Sequence, residues 1–380
     1  MNKILNNLWL LSREPGTGGT NTVVKIAKEI LSEAHMTYSH AYIKDFSSTA
    51  KTVNGLNYRS LPMPIYLNNF LAGKKWKNTL RKLPYGLVIG GTPAAGGIAY
   101  AAEIDYGMWI GTTVKDEYRI IRIKEEIKNK HYSRILNKVL AKINNIAEAA
   151  VLRRAKYIIS QSGFTKDCII KDYNIKDDKI FYLPFPIEIK RRSNKKYNAN
   201  GQVLLGVGRV DDSRKNYSFL LKAFKYLIEM HPRSRLRIVG SISADSKIVQ
   251  ESIKLDISSY VNFLGEISSI ELKKEYENAD IFVLTPKQEG LGIVFLEAMS
   301  YGLPVVSTKC GGSGGIIQDG VNGYLIEQKD VAGFVGAIGN ILESRSTYEE
   351  MSYQAGKYIL ENHNPNEFSS RFLDIIRAGL

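Results

Sequence analysis

Along nearly its whole length the chain alternates short apolar runs with amphipathic stretches, and this alternation restricts its fold more than any other feature. Strands buried on both faces of a parallel sheet read as continuous apolar runs, and the segments between them form the covering helices. The strand candidates are 8–11, 87–89, 108–110, 157–160 and 180–183 in the first half. In the second half they are 203–207, 236–239, 261–264, 281–284, 305–307 and 323–326. Leu136, Leu140, Ile143, Ala147 and Ala150 keep helical spacing and predict a long amphipathic helix. Between the two series, residues 188–200 are charged and asparagine-rich, as a linker would be. A chain of 380 residues suits two domains, each with its own core. The expected architecture is α/β, with two Rossmann-like domains, residues 1–187 and 201–360, facing each other across a central cleft.

Several classes fall away. No run approaches eighteen apolar residues, so a spanning helix is not expected. The opening stretch MNKILNNLWLLSREPG is broken by Asn6 and Asn7 and reads as a first strand rather than a signal peptide. Cys168 and Cys310 have no metal-ligand spacing, which argues against a disulfide framework or a zinc site and for the cytoplasm. The net charge of +14 is uneven: residues 115–156 hold twelve Lys or Arg against five Asp or Glu. A second basic cluster runs from Lys190 to Lys196. Such surfaces attract phosphates. No module with interleaved aromatics accompanies the charge, so a nucleic-acid binder is not expected.

The segment EGLGIVFLEAMSYGLPVVST, residues 289–308, carries the chemistry. It follows the apolar run 281–284 and opens a helix near Gly292. Open α/β sheets bind ligands at the carboxyl ends of their strands, and the first turn of a helix suits a phosphate. Gly290 and Gly292 clear side chains from the backbone there. Glu289 and Glu297 would repel the phosphate but can each accept from two vicinal hydroxyls. Phosphate at the helix start with a carboxylate on each side describes a nucleotide-sugar. The second domain opens with LLGVGRVDDSRKN, whose Arg209 and Lys215 suit a diphosphate. After the first strand, Gly16, Gly18 and Gly19 form a loop that can approach the same group.

EGLGIVFLEAMSYGLPVVST closely resembles the E-x7-E segment of family 4 of the retaining glycosyltransferases, which have the GT-B fold. VGRVDDSRKNYSFLLKAFKYL, ADIFVLTPKQEG, DGVNGYLI and SQSGFTKDCIIKDYNIKDDKIFYLPFPIE resemble further segments of that family, together covering about residues 155–330. The resemblance implies a transferase in which Arg209 and Lys215 hold the diphosphate of a UDP- or GDP-linked donor. Glu297 would bind the ribose hydroxyls and Glu289 would lie over the transferred sugar. Backbone N–H groups of Leu291, Gly292 and Ile293 would meet donor oxygens, and Gly18 and Gly19 would close on the diphosphate. It also implies retention by front-face displacement, without cofactor or metal, in keeping with the lack of any D-x-D. Finally it implies that 361–380 crosses back onto the first domain, where Phe368, Phe372, Ile375 and Ile376 give one packing face.

The chain departs from the family in two places. A His-Asp pair is usual near the donor sugar, yet no histidine lies between His40 and His131. At the matching MWIGTTVKDEY, either Thr112 or Thr113 takes the position, or Asp116 and Glu117 line the acceptor site. Gly315 stands where a glutamate is usual. These changes leave room for a non-catalytic GT-B partner subunit, binding a sugar or a protein, as the alternative. The acceptor is expected to be a glycan, a lipid-linked molecule or a cell-envelope polymer. The basic stretch KKWKNTLRKLPY, residues 74–85, with Trp76, Leu80 and Leu83, suits an anionic membrane surface.

Overall fold

The computed structural model describes residues 8–13, 19–36, 38–43, 51–53, 56–58, 74, 77–78, 85–89, 95–113, 115–116, 131–190, 197 and 202–379. The chain forms two compact units, Met1–Pro184 with Asn366–Leu380, and Phe185–Pro365.

The first unit is built on six parallel strands among its described residues. These are β1 (Leu8–Arg13), β2 (Tyr38–Ile43), β5 (Tyr85–Ile89), β6 (Tyr106–Ile110), β7 (Ile158–Ser160) and β8 (Ile180–Tyr182), in the order β2-β1-β5-β6-β7-β8. β3 (Lys51–Val53) and β4 (Leu56–Tyr58) pair as a small antiparallel sheet of their own beside β2. Every residue of β5 and β6 is buried, as a sheet covered on both faces requires. β2 escapes the sequence pattern because YSHAYI has no continuous apolar run, and among the described residues it is an edge strand paired with β1 alone. The helix expected from 136–150 is longer, His131–Arg154. The final helix, Pro365–Gly379, lays Phe368 and Phe372 against Trp109, ring centroids 5.4 and 5.2 Å away. Arg371 donates to the Tyr182 carbonyl at 3.1 Å, which ties that helix to the edge strand β8.

The second unit repeats the plan with β9 (Val203–Val207), β10 (Arg235–Val239), β11 (Val261–Gly265), β12 (Ile281–Leu284), β13 (Val305–Thr308) and β14 (Gly323–Ile326). All pair in parallel, in the order β11-β10-β9-β12-β13-β14. β12 and β13 are buried throughout. The order reverses between β9 and β12, so their following loops diverge and open a crevice at the carboxyl edge.

The segment 188–200, expected as a linker, is attached to the second unit wherever it is described. Lys190 N–H donates to the Ser300 carbonyl at 3.0 Å, and the Tyr197 ring packs 5.6 Å from Tyr348. Its polar composition shows no apolar periodicity, so these isolated anchors leave no sequence pattern. The remaining residues, 191–196 and 198–200, lie outside the described ones.

Candidate functional site

The loops after β9 and β12 bring distant sequence segments together. Thr285, just past β12, donates its hydroxyl to the Asn216 carbonyl at 3.0 Å. Lys287 N–H donates to the Arg214 carbonyl at 2.7 Å. These links seat Lys215 beside Glu289, with Nζ 2.5 Å from Oε2 and both side chains largely buried. Arg209 follows Gly208 at the end of β9 and pairs with Asp212 at 2.7 Å, its own side chain still 59% exposed. Asp212 also takes Arg214 at 2.9 Å. Burial raises the Asp212 carboxyl, but hydrogen bonds from Arg214 and the charges of Arg214 and Arg209 outweigh this and hold it below the ordinary aspartate value.

Helix Ile293–Ser300 begins at Gly292, whose φ of 79° lies in the left-handed region open to glycine. A Cβ there would also strike the Phe295 ring at 2.4 Å. The N–H groups of Leu291, Gly292 and Ile293 belong to this turn, at the edge that holds Lys215 and Glu289. The preceding loop is braced from β13: Gly312 N–H donates to the Glu289 carbonyl at 2.7 Å, and the Thr308 hydroxyl to the Pro286 carbonyl at 2.8 Å. Gly312 packs so closely that a Cβ would sit 2.4 Å from the Gly290 carbonyl oxygen. At Gly315, by contrast, an added Cβ meets nothing within 4 Å. Burial pushes the Cys310 thiol up to about 11, so it is a poor nucleophile at neutral pH.

Glu297 lies one turn into the helix and accepts from the Tyr276 hydroxyl at 2.8 Å. Burial pushes its carboxyl above the ordinary glutamate value, and the Tyr276 hydrogen bond pulls it part of the way back. Beside Arg209 lies a cavity of about 510 Å³ lined by Asp211, Asp212, Ser241, Ile242 and Ser243. Asp211 fixes its rim by accepting from Ser243 N–H at 2.7 Å and from the Ser246 hydroxyl at 2.5 Å. Sequence reasoning passed over Asp211 and Tyr276. The acidic pair after Arg209 was a signal for the first, but Tyr276 sits unmarked in a polar helical stretch.

In the first unit, Gly19 is the first residue of helix Gly19–Glu33, the next described element after β1. Gly16 and Gly18 lie outside the described residues, as do Glu117, Trp76, Leu80 and Leu83. In the loop after β6, Thr113 is fully buried and its hydroxyl accepts from Asp116 N–H at 3.2 Å. Asp116 is buried as well, which leaves Thr112 the most open of the three. Among the described residues no helix is long and apolar enough to cross a membrane.

Residues 187–358 match the family model described as glycosyl transferases group 1. A Haemophilus influenzae protein described as an uncharacterized glycosyltransferase is 31% identical over 160 residues, 42% of this chain and 44% of that protein. The chain thus spans less than half the length of that relative. Two solved structures share the fold over nearly the whole chain. Sucrose-phosphate synthase from Thermosynechococcus elongatus has a TM-score of 0.76 at 16% identity, covering 98% of each chain. Anabaena HepE in complex with UDP and glucose has a TM-score of 0.72 at 15% identity, covering 97% of this chain and 99% of HepE. The fold is GT-B, with two Rossmann-like domains.

Proposed function

We propose, from the match of residues 187–358 to the group 1 glycosyl transferases, that the protein is a retaining, metal-independent glycosyltransferase. It moves a hexose from a UDP- or GDP-linked donor to a hydroxyl acceptor. The observation that carries this reading is the meeting of Lys215 and Glu289 beside the helix that starts at Gly292. A cation suits the phosphates, a carboxylate the sugar hydroxyls, and the N–H groups of a helix start the phosphate oxygens of a nucleotide-sugar. The acceptor oxygen bonds to the anomeric carbon as the bond from that carbon to the phosphate oxygen breaks. The electron pair leaves with the diphosphate, and the acceptor proton passes to a leaving phosphate oxygen. Arg209 and Lys215 stabilise the departing charge in place of a metal.

The UDP in the HepE complex supports UDP as the first donor nucleotide to try. Acceptor recognition belongs to the first unit, with Thr112, Thr113 and Asp116 in the loop after β6. The acceptor is a glycan, a glycolipid or a cell-envelope polymer, and the basic stretch 115–156 lets the enzyme rest on the anionic inner face of the membrane. The test is incubation with a panel of UDP-, GDP- and other nucleotide-sugars, with nucleotide release followed with and without sugar acceptors. Release that persists in a chelator and disappears in the Arg209→Ala, Lys215→Ala double variant is expected. A strict Mn²⁺ requirement would remove the metal-free mechanism, and no release from any donor would remove the enzyme reading.

A further inference from the structure

Glu297 has one oxygen engaged by a protein group whose place in the fold is unusually fixed. Tyr276, from helix Ser269–Asn278, is 2% exposed. Its ring stacks on Tyr301 with centroids 5.3 Å apart and planes 11° apart, and on Phe282 at 6.2 Å and 30°. Its hydroxyl donates to Glu297 Oε2 at 2.8 Å. Burial first, then the Glu297 charge, pushes the Tyr276 phenol well above its ordinary value, so it remains a neutral donor. The last torsion of a glutamate is broad and roughly two-fold, so a free carboxyl in this position would rotate. A rigid donor on one oxygen removes that freedom and turns the other oxygen to a ligand.

We infer that Tyr276 is a positioning residue, holding the Glu297 carboxylate toward the ribose hydroxyls of the donor nucleotide. This rests on the donor-site reading given above and adds to it the group that aims the carboxylate. Tyr276 therefore sets how strongly the site separates a ribonucleotide from one without the 2′ and 3′ hydroxyls. Tyr301 shares the stack without a hydrogen bond to Glu297 among those seen at this carboxylate, so it separates aiming from packing.

Binding of UDP, GDP and their 2′,3′-dideoxy counterparts is measured by calorimetry in wild type, Tyr276→Phe, Tyr301→Phe and Glu297→Ala. Tyr276→Phe keeps both ring contacts and loses only the donor. It is expected to weaken the ribonucleotide about tenfold, the loss of one hydrogen bond to a charged group, and to leave the dideoxy nucleotide nearly unchanged. Tyr301→Phe should change neither. Equal weakening of both nucleotides, or none, overturns the inference. Glu297→Ala tells the two levels apart. If it lowers the ribo-to-dideoxy ratio while Tyr276→Phe does not, only the positioning role fails. If it too leaves the ratio unchanged, the ribose assignment of Glu297 has failed. If wild type binds neither UDP nor GDP, the donor reading falls and takes this inference with it. Should Tyr276→Phe not fold, Glu297→Asp withdraws the carboxylate from the hydroxyl by one methylene, and an unchanged ratio there is equally fatal.

Discussion

Lys215 Nζ lies 2.5 Å from Glu289 Oε2 across 74 residues of sequence, so the cation assigned to the diphosphate is held by the carboxylate assigned to the sugar. A donor must draw the two apart or bridge them. Glu289→Gln removes the competing charge while keeping the shape. Nucleoside diphosphate binding should hold or tighten, while turnover falls about ten- to a hundredfold through loss of a charged contact to the sugar. Lys215→Ala should weaken nucleotide binding itself. Calorimetry beside steady-state kinetics checks the split, and parallel losses in both measurements for Glu289→Gln would refute it.

The loop after β13 gives a second contrast. Gly312 is wedged against the Gly290 carbonyl, so Gly312→Ala must displace the backbone that carries Glu289 and Leu291. Donor use is expected to drop at least tenfold, with a melting midpoint several degrees lower. Three residues on, Gly315 faces open space. Gly315→Glu should fold within about 0.5 kcal/mol of wild type and change the ranking of donor sugars across a panel. An unchanged ranking would detach this position from sugar choice.

Much of this arrangement was readable before the fold, but unevenly. The strands of the second sheet announce themselves because burial on both faces demands unbroken apolar runs, as at Ile281–Leu284. The edge strand Tyr38–Ile43 does not, since one neighbour is enough for it. Arg209, Lys215, Glu289 and Glu297 stood out by residue type and spacing. Their partners did not. Asp212 beside Arg209 and Tyr276 beneath Glu297 are set by loop geometry and helix packing, which no local pattern encodes. The approach of Lys215 to Glu289 follows only from strand order, because β9 and β12 are neighbours although β10 and β11 intervene in sequence.

On helix His131–Arg154, Val139, Ile143 and Ile146 are 49%, 49% and 61% exposed and fall at helical spacing, with Lys142 exposed beside them. If the protein rests on anionic lipid, this apolar face is the part that enters the interface. Wild type should float with phosphatidylglycerol vesicles in low salt and be released at high salt. Ile143→Asp with Ile146→Asp should stay in the soluble fraction. Equal flotation of both proteins would exclude this helix, and no flotation of wild type would leave a soluble acceptor.

His363 closes the end of helix Arg345–Asn362 against the chain entering the second unit. Its Nδ1 is 2.7 Å from the Phe185 carbonyl, which can only accept, so Nδ1 carries the hydrogen. Burial lowers the imidazole below its ordinary value of 6.5, partly offset by that hydrogen bond. A depressed folded value means the unfolded chain takes up the proton first. The stability from neutral His363 is therefore complete above pH 6.5 and is lost as the pH falls through the folded value. Melting curves should show an acid-side decline starting near pH 6.5 that is smaller in His363→Gln. Identical profiles would show that the decline arises elsewhere.

Glu297 has the opposite sign. Its folded value is raised above the ordinary 4.5, so its favourable contribution to folding is complete below pH 4.5 and is lost as the pH rises through the folded value. As the pH rises through the folded value, the enclosed carboxylate ionises and costs stability, which the Tyr276 hydrogen bond offsets only in part. Such a group persists where a ligand uses its charge. Glu297→Gln should therefore raise the melting midpoint by a few degrees at pH 7 and by little at pH 4, while it weakens nucleotide binding. A loss of stability at pH 7 would mean the carboxylate is held by protein contacts for the fold itself, and the ribose assignment would lose its physical ground.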